Sequence, residues 1–84
     1  MNKEMVKQMM LAAVDNQLRD NNPPETAATI NRLMNMGYTR QTALEMITSV
    51  LLMEVFDVVE SDEPYNETRY VSRLKQLPEL PADK

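Results

Sequence analysis

Glu54 is the residue whose setting most suggests chemistry. At about 100° per residue along a helix, it projects among Ile47, Val50, Leu51 and Val58. A carboxylate therefore falls in the most apolar stretch of the chain. Such a group is costly to bury unless it is paired and hydrogen-bonded. Arg69, Tyr70 and Arg73 lie on the next segment, which a short polar loop can fold back across Glu54. The expectation is a buried pair between Glu54 and one of these three, fixing the register of two helices. The alternative chemistry is a small carboxylate enzyme or metal-dependent hydrolase using Glu54 with Asp57, which needs both carboxylates exposed in a pocket.

Other chemistry finds little to work with. Histidine and cysteine are absent, so no Cys/His zinc site can form and Ser49, Ser61 and Ser72 have no imidazole to activate them. One glycine cannot make a phosphate-cradling loop. Asp57, Glu60, Asp62 and Glu63 crowd the end of the third helical segment, where acids oppose the helix dipole. Their spacing lacks the alternation and central glycine of a calcium loop, so a solvated acidic loop is expected. The reading therefore includes no catalytic residue, no metal ligand and no cofactor.

Contact with another helix is the better-supported use. Of the 8 methionines, Met5, Met9 and Met10 share a side of the first segment, and Met34 and Met36 close the second. Flexible thioethers fill cores and also suit adaptable binding surfaces. Met5, Met9, Met10, Met36 and Tyr38 are the candidate interaction surface. A protein partner or a second copy of the chain is expected, with a homodimer favoured.

Four helical segments must position these residues. The first covers about Lys3 to Arg19, with Val6, Met10, Val14 and Leu18 every four residues and Leu11 between them. Asp20-Asn21-Asn22 breaks it. The second opens on Asn22-Pro23-Pro24-Glu25, which reads as an Asn22 cap, proline at the first helical position and a capping-box glutamate. Ala27, Ile30, Leu33 and Met34 are its expected inner face, and Gly37 ends it in the left-handed conformation. Thr39 caps the third, which reaches about Glu60 or Ser61. Its Leu44, Ile47, Val50, Leu51, Phe56, Val58 and Val59 cover most of its circumference, the mark of a helix buried at the centre of a bundle or shared with a second subunit. Asn66 caps the fourth, Tyr65 and Tyr70 have staple spacing across that cap, and Tyr70, Val71, Leu74 and Leu77 face inward before Pro78 stops it. Glu79 to Lys84 is expected to fray.

Composition agrees. An 84-residue chain with 43% hydrophobic and 26% charged residues is globular in balance and long enough for one domain. A chain of this size buries only about 60% of its unfolded surface, so it gains from association. A net charge of −4 with scattered lysines and arginines argues against nucleic-acid binding. Apolar runs are too short for a membrane span, and the first residues lack a signal-peptide cleavage pattern. A cytoplasmic location is expected.

Two resemblances add to this reading. Leu33, Met36-Gly37-Tyr38, Arg40, Ala43 and Leu44 resemble the first helix, Met-Gly-Phe/Tyr loop and second helix of ubiquitin-associated domains. That resemblance covers under a quarter of the chain and implies that Met36, Gly37 and Tyr38 contact a protein partner. It ends after Ile47, where the family's second helix stops and this one continues. The same helix-glycine-helix arrangement allows a helix-turn-helix with Arg40 and Gln41 leading a recognition helix, although that helix is too apolar for the role.

The longer resemblance covers Gly37 to about Pro78. Gly37-Tyr38, Arg40, Ala43, Ile47, Val50-Leu51, Glu54, Pro64-Tyr65, Arg69-Tyr70, Leu74 and Leu77-Pro78 resemble a group of short bacterial all-helical proteins of unknown function. It implies a compact helical fold in the bacterial cytoplasm, names no catalytic residue, and makes Glu54 and Arg69-Tyr70 features of the fold. The expectation is one all-α domain over 1–84, a compact four-helix unit with the long third helix central. Its expected role is non-enzymatic, as a helical protein-interaction or homodimerisation module.

Overall fold

Most of the helix boundaries follow from local signals. The computed structural model describes residues 3–79 and contains four helices in that span: α1 (Lys3–Asp20), α2 (Pro24–Asn35), α3 (Arg40–Ser61) and α4 (Glu67–Gln76). Asn21, at φ 51°, ends α1 in the left-handed conformation. The Asn22 amide then donates to the Gln17 carbonyl and the Asn21 amide to Leu18, the paired bonds of a Schellman motif. Gly37 repeats the device after α2 at φ 108°, with Tyr38 N–H on the Leu33 carbonyl and Gly37 N–H on Met34. Thr39 caps α3 by accepting from the Thr42 amide, and Asn66 caps α4 by accepting from the Arg69 amide. The Tyr65 and Tyr70 rings sit 6.2 Å apart across that cap. Leu77 is extended (φ −57°, ψ 143°), as the residue before Pro78 must tend to be, and α4 stops there.

The start of α2 differs from the expected pattern. Pro23, not Asn22, is the N-cap, and no side chain caps the helix. The Pro23 carbonyl instead accepts from the Thr26 amide, and Pro24 takes the first helical position. Prolines at both places leave fewer amide donors needing a cap, so the Asn22 side chain is not required there.

The core is small and continuous. Val14, Ile30, Leu33, Ala43, Ile47, Val50, Leu51, Tyr70, Leu74 and Leu77 form it, with Met10, Ala13, Leu18, Tyr38, Leu44 and Met46 packed at its edge. α3 meets each of the other three helices and is the central element. The inner face of α2 is rotated from the expected one: Thr26, Thr29, Ile30 and Leu33 are buried, whereas Met34 is exposed and Ala27 half-buried. The Thr26 hydroxyl donates to Gln17 Oε1 on α1, which offsets the cost of its burial. Of the apolar stripe on α1, only Val14 is fully buried. The expected fraying of 79–84 lies outside the described residues except at Glu79, whose amide donates to the Gln76 carbonyl.

The long helix is not buried all round. Its first two-thirds is enclosed on the inner side, but Val55, Phe56 and Val59 are exposed, Val59 by 71%. The other three helices leave one face of this 22-residue helix uncovered.

Candidate functional site

The two sides of the second half of α3 have opposite chemistry. On the inner side Glu54 is wholly buried. Arg69 and Arg73 are one turn apart on α4, and both reach it. Arg69 Nε donates to Glu54 Oε1 at 2.9 Å, and Arg73 Nη1 donates to Oε2 at 2.6 Å. Asp57, one turn further along α3, adds a second carboxylate 2.9 Å from Arg73 Nη1. Two positive and two negative charges thus share the α3–α4 seam. Both carboxylate oxygens of Glu54 have a charged donor, which is the condition for burying it. The hydrogen bond to Glu54 also raises the pKa of Arg69 above its ordinary value. One atom is left over: Arg69 Nη2 is buried without a partner among the described residues.

Tyr70 does not join this cluster. Its hydroxyl donates to Gln17 Oε1 at 2.9 Å, and Thr26 Oγ1 donates to the same oxygen at 2.8 Å. One amide on α1 therefore ties together the starts of α2 and α4. Burial pushes the Tyr70 pKa up to about 12, so the hydroxyl keeps its proton and its role as donor. Arg32 acts at the other end of α4. Its guanidinium donates to the carbonyls of Leu77 at 2.7 Å and Leu74 at 3.0 Å, satisfying groups that a helix end leaves open. Contacts at both ends place α2 and α4 side by side, running in the same direction. Gln17, Thr26 and Arg32 were absent from the sequence reading. The only signal for Arg32 was a basic residue late in α2, and its partners are main-chain groups more than forty residues away.

The outer side of α3 is apolar and open. Leu52, Val55, Phe56 and Val59 recur at the spacing of a helix–helix seam. With Thr48, Ser49, Glu45 and the first turns of α1 (Lys3, Val6 and Lys7), they line a groove of about 880 Å³. The methionine candidates lie elsewhere. Met5 and Met9 are exposed on α1, Met36 is exposed at the end of α2, and Met10 is half-buried against the core. Tyr38 is likewise half-buried and packs on the core, while Gly37 is exposed. Arg40 and Gln41 are exposed in the first turn of α3, where the Gln41 amide bonds Glu45.

This geometry limits the chemistry available. Glu54 is sealed by two arginines, and neither the groove nor a shallower hollow of about 380 Å³ against α4 is lined by Glu54 or Asp57. Among the described residues, no three acidic side chains converge as a metal site would require. Among the same residues, no helix is long and apolar enough to cross a membrane. No protein-family model, curated protein or solved structure gave a significant match to this chain.

Proposed function

We propose that this protein is a non-enzymatic helical interaction module that receives an apolar helix along the groove between the start of α1 and the second half of α3. The observation that carries this reading is the apolar seam of half-buried Leu52 with exposed Val55, Phe56 and Val59. Contiguous apolar surface rimmed by polar groups marks association sites. Support also comes from what backs the seam. The Glu54 cluster fixes α3 to α4 from the opposite side, so the strip is presented on a helix held in register. A sealed Glu54 suits a structural role better than a catalytic one. The resemblance to short bacterial helical proteins supports a cytoplasmic setting for the module.

The test is unfolding of Val59→Ser and Phe56→Ser, each at a dilution where the chain sediments as a monomer, with an apolar dye as a second readout. A binding surface predicts stability within about 0.5 kcal/mol of the parent for Val59→Ser, as for ordinary surface changes. Dye fluorescence should fall in both variants. A stability loss above about 2 kcal/mol from Val59→Ser would make the strip part of the core and end the reading.

A further inference from the structure

We infer that the occupant of the groove is a second copy of this chain, with the two α3 helices antiparallel about a two-fold axis between Val55 and Phe56. This rests on the interaction-module reading and names its partner. In that arrangement Leu52 of one copy faces Val59 of the other, and each seam fills the other's groove. A two-fold interface requires such a self-complementary patch.

Charge selects the direction. The α1 wall of the groove is basic, carrying Lys3 and Lys7, and the facing α3 wall carries Glu45, whose carboxylate the Gln41 amide engages. The apolar strip runs directly into Glu60, Asp62 and Glu63, all exposed. None of these five residues makes an ion pair among the described residues. Glu60 and Asp62 are unfavourable where they stand, because the carboxyl end of α3 is already the negative pole of the helix, while Glu63 lies beyond the cap within the field of Arg69. A parallel pairing would set the two acidic ends beside each other. The antiparallel pairing separates them and brings each acidic end toward the half of the groove that precedes the strip. There Ser49 of one copy faces Asp62 of the other. The basic wall then meets the acidic end of the neighbour, which accounts for both unpaired groups with one contact.

The chain has no cysteine, so introduced thiols report the geometry without background. Sedimentation equilibrium up to millimolar chain comes first, with Phe56→Glu as the control that abolishes association. Leu52→Cys and Val59→Cys are then oxidised separately and as a mixture. Antiparallel pairing predicts mixed disulfides between the two variants. It leaves like residues seven positions, about 10 Å, apart, beyond the roughly 7 Å limit between Cα atoms for bridging. The charge contact predicts that Lys3→Glu with Lys7→Glu weakens the dimer about tenfold. Adding Glu60→Lys and Glu63→Lys to the same chain should restore it. Self-linked products from each single variant would overturn the antiparallel arrangement. A monomer throughout would overturn the second copy as occupant while leaving the binding surface itself to the serine variants above. Charge reversals without effect would overturn the contact that sets direction.

Discussion

Removing Glu54 tests whether the buried cluster holds α4 in place. In Glu54→Ala, Arg69 and Arg73 lose their shared acceptor, and the two hydrogen bonds at 2.9 and 2.6 Å disappear. Hydrogen bonds to charged groups contribute about 1.5–3 kcal/mol each. The arginine side chains are 29% and 21% exposed, so water recovers part of that loss. Asp57 still holds Arg73 at 2.9 Å. The sum after these offsets is about 3–5 kcal/mol, the range for breaking a buried ion pair from one side. Total stability for a domain of this length is about 4–13 kcal/mol. At the lower end of that range the alanine variant is close to unfolding, and at the upper end it stays folded with a much reduced midpoint. Glu54→Gln, which keeps the shape and one acceptor, should lose about 2–3 kcal/mol. Urea unfolding followed by circular dichroism measures both, with unchanged denaturant slopes marking a common unfolded state. Changes within about 0.5 kcal/mol for both variants would refute the cluster's role.

Other substitutions separate the remaining contacts. Arg32→Ala should cost about 1.5–3 kcal/mol by leaving the end of α4 uncapped, and Arg32→Lys should recover little, because a single ammonium nitrogen lacks the planar fork whose two nitrogens serve the two carbonyls separately; urea midpoints decide. Tyr70→Phe should cost about 1 kcal/mol at neutral pH, since Gln17 keeps its bond from Thr26. Tyr70 also predicts alkaline sensitivity. The unfolded chain releases this proton near 10.0 and the folded chain near 12, so stability is full below the first value and lost through the second. The loss is at most about 2–3 kcal/mol, and Tyr70→Phe should flatten that part of the pH profile. Gly37→Ala should cost about 1–2 kcal/mol from backbone strain alone, because nothing lies within 4 Å of the added carbon; the melting temperature reads it directly.

The sequence made local features legible and long-range ones less so. Thr39, Asn66 and Gly37 were readable because a cap or a left-handed turn is decided by a few neighbouring residues. Glu54 was readable as a buried carboxylate because helical periodicity alone puts it on an apolar face. The joint use of Arg69 and Arg73 follows from their four-residue spacing, which stacks them on one face of α4. Tyr70 is rotated about 100° from Arg69 and turns to Gln17 instead. Periodicity did not reveal that partner, since it lies 53 residues away in sequence. Arg32 was harder still, because its acceptors are backbone groups that carry no side-chain signature. The exposure of Phe56 and Val59 was hidden for another reason. An apolar residue reads the same in sequence whether its cover is in the chain or outside it.

The placement of the two arginine contacts has a consequence for how the domain opens. α4 is only 10 residues long, too short to be a stable helix by itself. One contact grips its first turn and its middle, through Arg69 and Arg73, and the other its end, through the carbonyls that Arg32 holds. Fraying from either end therefore meets a charged contact before it reaches the middle. Partial detachment is costly whichever end leads, and full detachment strips Glu54 of both partners at once. The amides of α4 should exchange with solvent as one unit, with similar protection from Tyr70 to Leu77, rather than in a gradient that fades toward the carboxyl end.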